Sequence, residues 1–210
     1  MLTQPEFAIT EASELRSLLR SHPWATLVSP VGPNGLIASH LPIILSDPQD
    51  ETSTSVSSHL AAPDARRHEL GNRDVLLICQ GPHGYISPTM YEEVPHVPTW
   101  NFVVIHLYGR IQLLDPATTF TVLEDTVDHM EALRSDPWKL THVQSYAERI
   151  APGTTGFRLD PTHLVGKAKL SQDLPAHEVE RLARALRQDH DGLPANPSLA
   201  DAMLPTGEVQ

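Results

Sequence analysis

Apolar and polar residues alternate with a period of two along several segments, a pattern typical of β-strands. The first segment, ATLVSPVGPNGLIASHLPIIL, has two apolar runs around the turn residues VGPNG and predicts a hairpin. SVSSHL, VLLICQGPHGYIS and NFVVIHLYG predict further strands, the second interrupted at Gly81 and Pro82 and resuming at Tyr85. NFVVIHLYG is apolar on both faces, so we expect it in a barrel wall or buried on both sides. TTGFRLDPTHLVGKAKL predicts a closing strand or hairpin.

Other segments have helical signals. TEASELRSLLRSHP predicts a helix capped by Thr10 and ended by Pro23, and PDARRHEL predicts a short one. Asp115 as cap and Pro116 at the first helical position predict an amphipathic helix of about five turns. PAHEVERLARALRQ and NPSLADAML predict two more near the end. Because roughly six strands lie between residues 25 and 170 with short turns, we predict an α+β fold with an antiparallel barrel.

Composition narrows the class of protein. The chain has 210 residues and 40% hydrophobic content, enough to bury a core as one domain. Its 15 basic and 26 acidic residues give a net charge of −11, which argues against direct nucleic-acid binding. No long apolar run and no N-terminal signal pattern is present, so we expect a cytoplasmic protein that does not enter a membrane.

The sequence lacks the short motifs of several common sites. It contains no GxGxxG, GxxxxGK[ST], HExxH or GxSxG pattern. The single cysteine excludes an internal disulfide, and the twelve histidines form no HxH or HxxxH pair. We therefore expect no metal site.

Polar and aromatic residues cluster at the predicted strand ends, as a planar, phosphorylated cofactor would require. They lie in SHLP, in SSHLAAPDARRHEL, in QGPHGYISP, in PTWN and in KAKLSQ. Each group also has a structural explanation: the arginines fit a solvated helix face, the glycines a barrel corner, and Trp100 the core.

Three of these segments carry a family resemblance. QGPHGYISPTMY, VPTWNFVVIHLYG and KLSQ, in this order and at these distances, resemble the PaiB-type family, also described as FMN-binding negative transcriptional regulators. The resemblance implies an FMN-binding split β-barrel related to pyridoxamine-phosphate oxidases, with peripheral and C-terminal helices. It also implies a homodimer with FMN at the subunit interface. We expect residues 1–172 to form the barrel and residues 173–210 a helical extension packed on it.

The resemblance also implies the cofactor contacts. Thr99, Trp100 and Asn101 would form one wall of the flavin site, with Ser39 and His40 on the neighbouring strand. The remaining predicted contacts are His59, Arg66 and Arg67 at the phosphate, Tyr85 and Ser87 beside the glycines, and Lys169 and Gln172 from the second subunit. Ala62, Asp64 and Met90 replace the arginine, asparagine and tryptophan usual in the family, which would weaken, shift or abolish FMN binding.

Three functions are consistent with this site. The first is a regulatory or redox-sensing flavoprotein, a transcriptional regulator by family name. The second is a flavin-dependent reductase or oxidase, for which His40, His83 and Tyr85 are the candidate bases. The third is haem binding or degradation, with His40, His59, His83 or His163 as the axial ligand. The sequence does not decide whether the protein is an enzyme.

Overall fold

A computed structural model describes residues 1–2, 4–92 and 95–204. The strands in these ranges are β1 (Ala8–Ile9), β2 (Trp24–Val31), β3 (Gly35–Leu45), β4 (Val56–Ala61), β5 (Asp74–Ile86), β6 (Thr99–Leu113), β7 (Thr154–Leu159) and β8 (His163–Lys169). The α-helices are α1 (Ala12–Ser21), α2 (Ala62–Arg67), α3 (Pro116–Glu131), α4 (Gln144–Ile150), α5 (Ala176–Leu186) and α6 (Pro197–Met203). None of these helices has both the length and the apolar composition needed to cross a bilayer.

The chain divides into two compact units. We call Met1–Ile9, Gln80–Val104 and Val165–Gln210 the terminal unit, and Thr10–Cys79 with Ile105–Leu164 the central unit. This division does not test the predicted boundary at residue 172, which stays a prediction.

The central unit contains the predicted hairpin and the strands that pair with it. β2 pairs with both β3 and β5, β3 with β4, β4 with β7, and β7 with β6, all antiparallel. Because β5 and β6 are also neighbours in the sheet, these strands close into a ring. The α+β split-barrel prediction is confirmed. Large side chains inside this unit, such as Leu27, Leu107 and Phe157, are fully buried.

Several predicted details are wrong. α1 begins at Ala12 with Glu11 at the N-cap position, so Thr10 does not cap it. β5 is continuous through Gly81 and Pro82, because a strand can include proline where its nitrogen has no ladder partner. β7 pairs with β4 and β6 whereas β8 pairs with β1, so β7 and β8 do not form a hairpin with each other.

The terminal unit has its own apolar core. Leu182 and Leu186 of α5 and Leu199 of α6 are buried against Ile86 and Met90, which lie at and just beyond the end of β5. Both helices are where the sequence predicts them, and their apolar stripes face this core. The C-terminal helices are therefore part of the same core as the QGPHGYISPTM segment.

Arg16 joins α1 to the loop that follows β3. This side chain is buried, and its guanidinium donates to the carbonyl oxygens of Asp47, Pro48 and Ser53. Arg16→Met leaves the Pro48 and Ser53 carbonyls without this donor, whereas the Asp47 carbonyl still accepts from the Asp50 amide. We therefore expect the free energy of unfolding to fall by about 2–3 kcal/mol in urea titrations. The exposed Arg149→Met is the matched control and should change stability by less than about 0.5 kcal/mol. Equal stability of the two variants would contradict this role of Arg16.

Candidate cofactor site

An aromatic cluster lies in the terminal unit where β6 begins. The Trp100 ring stacks on His83, with centroids 6.1 Å apart and planes at 25°. The Tyr85 ring lies 6.3 Å from Trp100 at 52°. His83 and Tyr85 lie on one face of β5 because alternate strand residues point the same way. Trp100 is 50% exposed and Tyr85 38% exposed, so the cluster offers flat ring surface to a ligand.

A lysine adjoins this cluster. The Lys169 ammonium donates to the Thr99 hydroxyl and, at 3.3 Å, to the carbonyl oxygen of Trp100. An ammonium has three N–H donors, and the described residues use two of them, so one is left for an anion. The sequence prediction has Lys169 reach the site from a second subunit, whereas here it contacts Thr99 and Trp100 of its own chain.

Asn101 has a different environment from Trp100. Its side chain is fully buried, and its amide nitrogen donates to Ser171 Oγ at 2.8 Å. Ser171 has a φ of 64°, a left-handed conformation that is costly for a residue with a side chain. Asn101 therefore holds the turn that follows Lys169. Whether it also contacts the flavin, as predicted, stays a prediction.

Two other predicted contacts also hold local structure. Gln172 Oε1 accepts from the Leu170 amide at 2.7 Å, and its Nε2 donates to the carbonyl oxygens of Ala168 and Glu6. The Ser87 hydroxyl accepts from the Thr89 amide at 3.3 Å and caps the 3-10 turn of Pro88–Met90.

A pocket of about 310 Å³ adjoins the aromatic cluster. Trp100, Tyr85 and His83 line one side, and Leu186 and the segment 193–196 line the other. Its volume is at the lower end of the range of small-molecule pockets, about 300–1,000 Å³.

Close backbone contact beside this pocket requires a glycine. A Cβ atom at Gly84 would lie 2.7 Å from Asn196 Nδ2 and 2.9 Å from Leu199 Cδ2. Asn196 also donates from Nδ2 to the His83 carbonyl oxygen at 2.9 Å. A side chain at position 84 would therefore push α6 and its preceding loop away from β5.

In the central unit, Ser39 belongs to a closed polar network. Its hydroxyl donates to Asp64 Oδ2 at 2.7 Å and lies 2.9 Å from His68 Nε2. The other ring nitrogen of His68 lies 2.9 Å from the hydroxyl of the buried Ser29. The network satisfies the polar atoms of Ser39, and Asp64, one of the departures from the family, belongs to it.

The other predicted residues of the central unit have different surroundings. His40 is on the opposite face of β3 from Ser39, with Nδ1 3.0 Å from the Thr26 hydroxyl and its ring stacked on Trp24. Arg66 lines a groove with Leu113 and Thr155, whereas Arg67 lines another beside the β2–β3 turn. The two neighbouring arginines therefore do not line one groove.

His59 has an unusual ring nitrogen. Among buried side-chain nitrogen and oxygen atoms of the described residues, only His59 Nδ1 has no hydrogen-bond partner. Burial also lowers the pKa of this histidine. A polar atom buried without a partner is costly and is a common sign of a missing ligand or water.

His68 is the site residue that sequence reasoning missed. Burial lowers its pKa below the ordinary value of 6.5. The Asp64 carboxylate opposes this shift and the Arg67 guanidinium adds to it, both with smaller effects. The unfolded chain therefore binds a proton at a higher pH than the folded chain does. The contribution of the neutral His68 ring to the free energy of unfolding is complete above about pH 6.5, and it is lost as the pH falls through the lowered pKa.

We therefore expect the free energy of unfolding to fall between pH 7 and pH 5, and less steeply in His68→Asn than in the parent. Urea titrations at several pH values measure this slope. The exposed His177→Asn is the control and should keep the parent slope. An unchanged slope in His68→Asn would contradict the assignment.

No metal centre is found in residues 1–2, 4–92 and 95–204, where His, Cys, Asp and Glu side chains form no group of three or more that could bind an ion.

Comparison with known proteins identifies the family. The family model described as "Putative FMN-binding domain" matches residues 1–191. The chain belongs to this family. It is an FMN-binding split-barrel protein of the PaiB type, as the sequence resemblance predicts, and FMN is the cofactor of the family.

Individual relatives agree with this assignment. "Protease synthase and sporulation protein PAI 2" of Bacillus subtilis is 29% identical over 170 residues, which are 80% of this chain and 80% of the relative. "Uncharacterized protein AN0679" of Emericella nidulans is 25% identical and covers 97% of this chain and 96% of its own.

Solved structures share the fold. The flavocytochrome Anf3 from Azotobacter vinelandii has a TM-score of 0.59 at 16% identity, covering 84% of this chain and 77% of its own. The FAD and heme binding protein from Mycobacterium smegmatis has a TM-score of 0.55 at 13% identity, covering 85% and 77%.

The terminal unit provides the kinds of groups that FMN requires. The exposed ring faces of Trp100 and Tyr85 suit an isoalloxazine ring, and the Lys169 ammonium and Thr99 hydroxyl suit a phosphate. In the central unit, Asp64 adds a negative charge in the first turn of α2, which opposes a phosphate there.

Proposed function

We propose that this protein is a regulatory or redox-sensing flavoprotein that holds FMN through Trp100, Tyr85 and Lys169. The observation that carries the proposal is the half-exposed Trp100 ring beside an ammonium with a free N–H donor. Stacking of a planar ring on an exposed aromatic side chain contributes about 1–3 kcal/mol, and a lysine near the anion adds a charge-assisted hydrogen bond.

We also propose that predicted contacts in the central unit bind FMN, and each of them is tested separately. His59 has the strongest support there, because a ligand could satisfy its buried Nδ1 atom. Ser39, His40, Arg66 and Arg67 are tested as single alanine variants by FMN titration. Because Ser39 already donates to Asp64, we expect its loss to change FMN affinity least.

The net charge favours regulation without direct DNA contact. A protein that binds DNA non-specifically neutralises phosphates with lysine and arginine. At −11, this chain would be repelled from DNA unless a local basic patch compensated. We therefore propose that any transcriptional effect passes through a protein partner or through the redox state of the flavin.

One experiment separates the proposed function from its alternatives. The purified protein is incubated with FMN or with haemin, desalted, and its absorption recorded, and NAD(P)H consumption is then followed. Retained flavin bands with negligible NAD(P)H turnover are the expected result. Rapid turnover would favour the oxidoreductase, and a Soret band with no retained flavin would favour a haem protein. His59, with its unpartnered ring nitrogen, is the first axial ligand to test in that case.

We further propose that the protein is a homodimer through the outer face of the β2–β3 hairpin. In the antiparallel register, Trp24, Val28, Leu36 and Ala38 share one face. Trp24 is 63% exposed and Leu36 76% exposed. Exposed apolar patches of this kind mark interaction surfaces.

The expected result is that Leu36→Asp shifts the sedimentation coefficient from that of a dimer to that of a monomer, because a buried unpaired carboxylate is costly. Leu133, which is fully exposed and lies outside this face, is the control, and Leu133→Asp should remain dimeric. A dimer in both variants would place the interface elsewhere.

A further inference from the structure

A cavity with several charged lining residues lies in the central unit and has no role in the sites described above. Its volume is about 410 Å³, within the range of small-molecule pockets. It lies beside α3, with the end of β3 and residues of β4 and β7 on the other side. None of the predicted cofactor residues lines it.

The face of α3 that lines the cavity is polar. Thr118, Thr121, Asp125 and His129 follow one another at spacings of three or four residues, so they lie on one side of the helix. Thr118, Thr121 and Asp125 are exposed, so this face is open both to solvent and to a ligand. The apolar part of the lining comes from other residues, such as Leu45 and Val122.

The mouth of the cavity carries one cation and one anion, Arg20 and Asp125, and both residues are exposed. Among the described residues, neither the Arg20 guanidinium nor the Asp125 carboxylate makes a hydrogen bond or an ion pair with another side chain, so both are open to a ligand. The other two strong charges are neutralised: Arg158 pairs with Asp47 at 2.7 Å and Asp128 with Lys139 at 2.8 Å. Burial and the nearby Asp128 raise the pKa of Asp125, as expected for a carboxylate that no cation compensates.

Two further features fit a ligand in this cavity. The Ser46 and Ser57 hydroxyls lie 2.7 Å apart, and only one of their two protons is used between them. His129 Nε2 lies 3.1 Å from the Arg20 carbonyl oxygen, which holds the end of α1 against α3. The cavity therefore has fixed walls and a free hydroxyl donor.

We propose that this cavity binds a zwitterionic small molecule of the α-amino-acid class, with its carboxylate at Arg20 and its ammonium at Asp125. Its side chain would lie against Leu45 and Val122. An anion alone would contact only Arg20, and a cation alone would contact only Asp125. A zwitterion can pair with both exposed charges at once without changing the net charge of the cavity. Such a site would let an amino acid act on the protein independently of its flavin.

The test begins with thermal unfolding in the presence of each of the twenty protein amino acids, because a ligand that binds only the folded state raises Tm. The amino acid that gives the largest rise is then titrated by calorimetry, together with its N-acetyl and carboxamide forms. The N-acetyl form has no ammonium and the carboxamide has no carboxylate. We expect each to bind about 10- to 100-fold more weakly than the parent amino acid.

Matched variants locate the binding. Asp125→Asn and Arg20→Gln should each weaken the amino acid about 10- to 100-fold, whereas Glu124→Gln on the same helix and the exposed Arg184→Gln should not change it. Unliganded Tm values show that all four variants fold. The proposal is overturned if no amino acid raises Tm, if the N-acetyl form binds equally well, or if Asp125→Asn and Arg20→Gln bind like the parent. FMN titration of the same variants tests the flavin site separately. Because Trp100 lies outside the cavity, these variants should bind FMN like the parent.

Discussion

Replacing Trp100 with alanine is expected to weaken FMN binding about 10- to 100-fold, the largest effect that the proposed site predicts for one side chain. The variant loses the flat surface on which the isoalloxazine would stack. The Trp100 ring is half exposed, so its removal leaves no buried cavity and should not unfold the chain. Equilibrium titration with FMN measures the change in Kd.

Trp138→Ala is the matched control for this prediction. Trp138 is 40% exposed and also lies against a histidine, with its ring 5.8 Å from that of His142. It lies in the central unit and lines none of the grooves that contain predicted cofactor contacts. FMN affinity should therefore remain that of the parent. Equal affinity in Trp100→Ala and Trp138→Ala would remove Trp100 from the site.

The second large effect concerns stability. Asn101→Ala is expected to lower the free energy of unfolding by about 2–3 kcal/mol, because it removes a fully buried amide and leaves Ser171 Oγ without its partner. Ser171→Gly relieves the left-handed backbone strain at φ 64° but also removes the hydroxyl.

A double-mutant cycle tests whether these two residues act together. On the Ser171→Gly background, Asn101→Ala should cost about 1 kcal/mol less than in the parent, since no hydroxyl is then left unpaired. Urea titrations of the four proteins measure the coupling. Strictly additive losses would show that Asn101 stabilises the chain in some other way.

Much of the fold could be predicted because turn residues, helix caps and the spacing of apolar residues are local features of the sequence. The VGPNG turn fixes the β2–β3 hairpin, and the Asp115 side chain caps α3 by accepting from the Ala117 and Thr118 amides. Pairings between distant strands could not be predicted in this way. β7 pairs with β4 and β6 rather than with β8, and nothing in the sequence around Asp160 and Pro161 distinguishes these arrangements.

The site shows the same limit. The aromatic residues of PTWN and QGPHGYISP are visible as a pattern, and the structure brings Trp100, His83 and Tyr85 together. Trp100 is half exposed whereas its neighbour Asn101 is fully buried. The PTWN motif alone does not show this difference. Contacts such as Lys169 with Thr99 join residues 70 positions apart, which no local pattern can reveal.

The polar network of Ser39 shows why a departure from a family motif is hard to interpret from sequence. Asp64 suggests repulsion of a phosphate when it is considered alone. In the fold it accepts from Ser39, which in turn lies beside His68. The carboxylate therefore has a structural partner in the fold, although the neutral Ser39 hydroxyl leaves its negative charge in place.

The most direct test of the account is an equilibrium titration of the flavin-free protein with FMN, followed by flavin fluorescence. If the isoalloxazine stacks on Trp100, fluorescence is quenched to a plateau at one FMN per chain, with a Kd of about 1 μM or lower, equivalent to about −8 kcal/mol. Lys169→Met is expected to raise that Kd and to leave the quenching at saturation unchanged, because the proposed contact of the lysine is with the phosphate and not with the ring. Absence of quenching up to about 100-fold above that concentration would contradict the claim that this site holds FMN.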